Sequence, residues 1–150
     1  MISEKVLNAL GPCGLNCETC FAHADGEIRK YSLKLKEKLG NFEAYAKRFE
    51  TLLNNPVFEH YPEFKSMLDY PAAENCQGCR KEKCRLFDEC GVRSCHRTKG
   101  VDFCFQCNEF PCGKTNFDGD LQQRWVQINQ KIREQGLEKC YEDSKTKPRY

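Results

Sequence analysis

The residues in this chain that could do chemistry are cysteines, 12 of 150, or 8%. Three sit in the stretch CGLNCETC as Cys13, Cys17 and Cys20, spaced C-x3-C-x2-C. Eight more follow as Cys76, Cys79, Cys84, Cys90, Cys95, Cys104, Cys107 and Cys112, and Cys140 stands alone. A C-x2-C pair sets two thiolates on one tight turn, where backbone N–H groups can point at sulfur and offset its charge. The first triplet has the spacing of the iron-sulfur ligands in radical-SAM enzymes. It also fits three quarters of a zinc site, or part of a disulfide framework.

Compartment decides between these. The opening MISEKVLNAL has no apolar run followed by a small-residue cleavage site, so it does not read as a secretory signal. No N-x-[ST] sequon occurs, and no stretch approaches the 18 apolar residues of a membrane span. These features lead us to expect a cytoplasmic protein with no membrane partner. In a reducing cytosol, patterned cysteines favour thiolate ligands over cystines. The apolar fraction is 39%, falling to about 31% without the cysteines, which is thin for a core of this size.

Eight cysteines in one block would fill two four-thiolate sites, the closed arrangement of structural zinc. A sequential split gives Cys76, Cys79, Cys84 and Cys90, then Cys95, Cys104, Cys107 and Cys112; a cross-braced split fits the spacing equally well. The first block supplies three ligands. Its fourth would be His23, Cys140 or a cysteine of the second block, and an open fourth position would make it catalytic. The expected cofactor is therefore two or three Zn2+ ions, with an iron-sulfur cluster as the alternative. Gly14, Gly91 and Gly113 each follow a cysteine and Gly78 lies inside a pair, as expected of turns that need positive φ. His96, beside Cys95, and His60, among aromatics, are weaker ligand candidates.

The charge balance is near neutral, +2. Between Cys76 and Lys114 there are eight basic residues against five acids. Eight thiolates with two divalent ions would carry about −4, so this excess reads as local compensation and disfavours a nucleic-acid surface. No nucleophile–base motif, glycine-rich phosphate loop or paired carboxylates occur, which points away from an enzyme.

The elements that must position these ligands are helical. Ile28, Tyr31, Leu35 and Leu39 share one helical face, stopped by Gly40. Phe42, Tyr45, Phe49 and Leu52 share a second, ended by NNP at 54–56. Phe58, Tyr61, Phe64 and Leu68 suggest a third, with Pro62 near its start. Such stripes are expected to be core. Leu121, Trp125, Ile128 and Ile132 predict an amphipathic helix opened by Asp118 or Asp120 and closed at Gly136. The second cysteine block should be knuckles and short helical turns, and the tail EDSKTKPRY mobile. We expect one mainly α, metal-stabilised domain over 1–150 with little or no sheet. Its parts are a ligand block at 13–20, a three-helix insert at 21–75, a second block at 76–112 and a C-terminal helix at 118–137.

CGLNCETC, CQGC at 76–79, and the run from Cys90 to the closing CNEFPC together resemble a prokaryotic family of small cysteine-rich proteins, a domain of unknown function described as zinc-binding. Eleven cysteines fall in the family pattern, and Cys140 lies outside it. His23 stands where the family more often has an aromatic. The resemblance implies zinc ligation and no reaction.

The reading favoured is a multi-zinc protein whose structural zinc supports a binding or adaptor module; its partner is unknown, with a protein as one candidate and nucleic acid disfavoured. An iron-sulfur or redox protein is the alternative and a nucleic-acid-binding zinc module the second. The radical-SAM version is disfavoured because Thr19 precedes the third cysteine where those enzymes carry an aromatic, and because their barrel needs more chain.

Overall fold

The computed structural model describes residues 2–150. It contains seven α-helices: α1 (Glu4–Ala9), α2 (Glu27–Leu39), α3 (Phe42–Leu52), α4 (Tyr61–Ala73), α5 (Val92–Lys99), α6 (Gly119–Gln135) and α7 (Leu137–Lys145). Two 3-10 turns lie at Pro56–His60 and Cys104–Gln106. Among the described residues there is no strand, only isolated bridges of Leu10 with Asn16 and His23 with Cys76. The protein is mainly α, as its periodicity indicates. Among the described residues, no helix is long and apolar enough to cross a membrane.

Local chemistry accounts for the helix ends. The Asp118 carboxylate accepts from the Leu121 amide at 2.9 Å and starts α6, while Gly136, at φ +88°, ends it. Gly40, at φ +50°, ends α2. Asn55 caps the Pro56 turn by accepting from the Val57 amide at 3.0 Å. Inside the second cysteine block, α5 is a full eight-residue helix carrying Cys95, where only short helical turns were expected. Gly100, in the left-handed region at φ +63°, lets it stop cleanly.

Packing is concentrated around the long helix. Val6, Leu10, Phe103, Ile132, Leu137 and Tyr141 form one core between α1, α6 and α7. Cys13, Val92, Phe110 and Trp125 form a second beneath α5 and α6, with Cys90, Cys104, Cys107 and Cys112 packed against it. The cysteine loops are therefore one layer and α6 the other.

The insert differs from expectation. Its three helices are where the spacing puts them, but its stripes are not a buried core: Tyr31 is 65% exposed, Leu52 61% and Tyr45 53%. Only Ser32, Ala46 and Ala72 of these helices are buried. With α2 against α4 and no further layer opposite, the rings pack on one another, Phe42 against Tyr61 at 5.1 Å and Phe49 against Phe58 at 5.9 Å. The tail also departs from expectation. Glu142 to Lys145 continue α7, Arg149 donates to the Asn16 carbonyl, and Tyr150 lies 6.1 Å from Phe21.

Candidate metal centre

The loop after α1 is folded by its own turns. The Gly14 amide donates to the Gly11 carbonyl at 2.9 Å, and the Cys17 amide reaches back to Ala9 at 2.8 Å. Gly14, at φ +85°, presses on α6 so closely that a Cβ there would meet Ile132 at 3.1 Å and Ile128 at 3.2 Å. Asn129, wholly buried on α6, donates to the Cys13 carbonyl at 2.8 Å and fixes this loop to the helix. A short ladder sets the two cysteine blocks side by side: Cys76 donates to Ala22 at 3.0 Å and Ala24 donates to Cys76 at 2.9 Å.

This arrangement sorts the eleven patterned cysteines into neighbourhoods. Cys13, Cys17, Cys79, Cys84 and Cys90 line one cavity. Cys20 and Cys76 neighbour Cys17 without lining it. Cys95, Cys107 and Cys112 surround Cys104, the second set of the sequential split. The first set of that split is not kept together alone, because Cys79 and Cys84 adjoin Cys17 of the first block. All twelve cysteines are free thiols. Among the described residues, no three or more His, Cys, Asp or Glu side chains converge as a ready-made metal site.

Backbone amides are aimed at the sulfurs. The Gly78 amide donates to Cys76 Sγ at 3.4 Å. Cys13 receives the Leu15 amide, Cys84 those of Leu86 and Phe87, and Cys90 those of Val92 and Arg93. Each of these four cysteines is thus met by the amide two residues on, the knuckle geometry that offsets negative charge on sulfur. Of the glycines expected to serve such turns, Gly14 and Gly78 do have positive φ. Gly91 and Gly113 do not: Gly91 is required because a Cβ would stand 2.0 Å from the Lys114 carbonyl oxygen, and nothing lies within 4 Å of one at Gly113.

Ionisation divides the thiols. The Cys79 thiol hydrogen-bonds to Cys17 and Cys84, which lowers Cys17 to about 7 and Cys84 to about 6 and drives Cys79 itself upward. The Cys79 amide and the Arg149 guanidinium add to the effect at Cys17. Burial pushes Cys13 up to about 12 and Cys104 up to about 11. The buried Trp125 indole N–H has no hydrogen-bond partner and lies near Cys104, where it works against the upward push of burial. Buried sulfurs with amide and indole donors suit a divalent ion, because a coordinating cation removes the thiol proton that burial retains.

Of the two proposed outside ligands, His23 is bridged through its backbone to Cys76, whereas Cys140 packs elsewhere. The His23 ring accepts from the Asp25 amide at 3.3 Å, and Cys140 packs with the α1/α6/α7 core. His60 is paired with Glu59 at 3.6 Å, and His96 Nδ1 lies 3.0 Å from the Val101 carbonyl oxygen. Sequence reasoning missed Arg149 and Tyr150, whose hydroxyl lies 3.8 Å from Cys20 Sγ. Nothing in the polar tail signalled them. Asn129 was missed as well, although a polar residue on the apolar face that carries Trp125 and Ile132 is a signal that could have found it.

Fold and site together define a small helical domain organised around free thiols rather than around a sheet or a large apolar core. The chain belongs to the family described as Protein of unknown function (DUF3795), whose pattern it matches over residues 9–117. That span holds all eleven patterned cysteines and ends before α6. No curated protein and no solved structure matches the chain.

Proposed function

We propose that this is a multi-zinc binding module of the cytosol, in which zinc is structural. The observation that supports it best is the repeated amide-to-sulfur knuckle at Cys13, Cys76, Cys84 and Cys90. A disulfide or a packed thiol needs no such donors, whereas a thiolate does. The ligand sets we assign are Cys17 and Cys20 with Cys76 and Cys79, and Cys95 with Cys104, Cys107 and Cys112. Cys13, Cys84 and Cys90, which carry three of the four knuckles, form a third, three-thiol set in the cavity wall, giving three ions when it is filled and two when it is not.

Zinc bound there would supply folding free energy to a chain with a thin core. Metal analysis of natively purified protein should find two or three zinc ions per chain in a colourless sample. Chelation at neutral pH should abolish its tertiary structure. A brown anaerobic preparation absorbing near 400 nm would replace zinc with an iron-sulfur cluster, and retained structure after complete chelation would end the structural-zinc reading.

A further inference from the structure

The cavity lined by Cys13, Cys17, Cys79, Cys84 and Cys90 has a volume of about 380 Å³, within the range of small-molecule sites. Its wall carries Arg93, Arg97, Arg124, Arg149 and Lys83 against one acid, Asp88. In a chain of net charge +2 this is a local concentration of positive charge. Lys83 and Asp88 face each other at 3.5 Å and cancel. Among the described residues, none of the four arginines is paired with a carboxylate. Arg93 reaches the Lys81 carbonyl oxygen at 3.5 Å, Arg149 donates to the Asn16 carbonyl, and Arg124 donates to that of Arg149. The Nε groups of Arg93 and Arg149 are buried without a partner. A buried guanidinium N–H left unpaired is costly, so such groups mark a place for an acceptor.

The thiols do not absorb all this charge. Arg149 acts on Cys17 and Cys84 and is committed to them. Arg93 and Arg97, a turn apart on α5, and Arg124 on α6 remain. Between them the wall is apolar, with Phe87, Phe117 and Leu121. Guanidinium groups match carboxylate and phosphate oxygens in a bidentate fork, and the apolar wall suits a ring or short chain.

We propose that this cavity binds a small organic anion, a carboxylate or phosphate headgroup on an apolar body. The headgroup is held by Arg93, Arg97 and Arg124, and the body lies against Phe87, Phe117 and Leu121. The site stands on the cavity and its cations, and none of the arginines that hold the headgroup is a metal ligand, although Cys17 and Cys79 of the same wall belong to an assigned zinc set.

Isothermal titration of the full chain, with zinc content measured on the same sample, tests this with phenyl phosphate, benzoate and neutral benzyl alcohol. One of the two anions should bind saturably at one site, and benzyl alcohol about tenfold more weakly or not at all. The preferred anion identifies the headgroup. Arg97→Gln, on an exposed residue, should weaken that binding about tenfold and Arg97→Glu more, with zinc content and helicity unchanged. Arg93→Gln should do the same. The proposal is overturned if neither anion saturates, if benzyl alcohol binds equally well, or if the arginine variants alter metal content but not anion binding. Saturable anion binding by a zinc-free chain would keep this site and remove the zinc reading.

Discussion

The cysteine-bearing half and the insert are both built from amphipathic helices, yet they are held in different ways. In the first, Phe103 is fully buried, Trp125 is 1% exposed and Tyr141 2%. Side chains also reach across it to backbone, Asn129 to Cys13 at 2.8 Å, Arg80 to Leu10 at 3.0 Å and Arg133 to Phe105 at 2.8 Å. In the insert no large side chain is fully buried: Phe42, Phe49, Phe58 and Tyr61 are half-buried, and Met67 is 77% exposed. The difference is the opposing layer. Where thiol loops cover α6, helical periodicity becomes a core; where nothing covers α2 to α4, the same periodicity becomes a row of rings in mutual contact. The stability of the molecule should therefore be concentrated in the loops that carry the cysteines.

The sharpest break is expected at Gly91. A methyl group there would collide with the Lys114 backbone oxygen at 2.0 Å, and the Gly91 amide donates to Thr115 at 3.0 Å, so the segment has no room to shift. Gly91→Ala should cost about 3 kcal/mol or more. Gly113→Ala, one residue after another cysteine but in open space, should be nearly neutral. Urea midpoints of the two variants provide the check; equal midpoints would show that the cysteine loops yield as easily as the insert.

Asn129→Ala comes next. It removes the donor to the Cys13 and Trp125 carbonyls from a site with no water access, at a cost of about 1–3 kcal/mol. Because the lost bond fixes the loop of Cys13, zinc affinity should fall with stability. Unchanged metal affinity at reduced stability would separate the loop from the helix that supports it. In the insert, Phe49→Ala removes contacts with Phe42 at 5.8 Å and Phe58 at 5.9 Å. Its ring is only partly buried, so the loss should be about 1–2 kcal/mol, below the usual range for a core phenylalanine. Hydrogen exchange should speed up in α3 and α4 and stay unchanged around Trp125. Faster exchange throughout would mean that the two halves unfold as one unit.

Much of this architecture was legible. Gly40, NNP at 54–56, Pro62, Asp118 and Gly136 bound their helices because capping and breaking act locally, through each residue's own backbone. The set Cys95, Cys104, Cys107 and Cys112 was one of the two spacings considered. What spacing does not encode is which distant segments lie together. Cys17 adjoins Cys79 and Cys84 because a ladder at Ala22 to Ala24 closes a loop around the whole insert, and no local signal announces that closure. The tail was misread for the same reason: EDSKTKPRY is polar in composition, but Arg149 is held by Asn16, far away in sequence. The insert's stripes misled because periodicity reports a face and not whether anything covers it.

The smallest effect lies on the surface of the cysteine half, where Glu109 of CNEFPC accepts from Lys114 at 2.6 Å and from Lys99 at the end of α5. Lys114 and then Lys99 hold its carboxyl down at about 2, against an ordinary 4.5. Its folded pKa lies below its unfolded one, so this contribution is fully present above about pH 4.5 and is lost as pH falls towards 2. The group is fully exposed, so salt and water screen the pair and only a minor effect is expected at neutral pH. Glu109→Gln should therefore melt slightly below the parent at pH 7, with a gap that narrows between pH 4.5 and pH 2 and shrinks in high salt. Because acid also strips the metal on which the fold depends, the salt dependence at pH 7 is the deciding measurement. A gap unchanged by salt would mean that Glu109 acts by packing, and that even the surface of this half is held by contact rather than by charge.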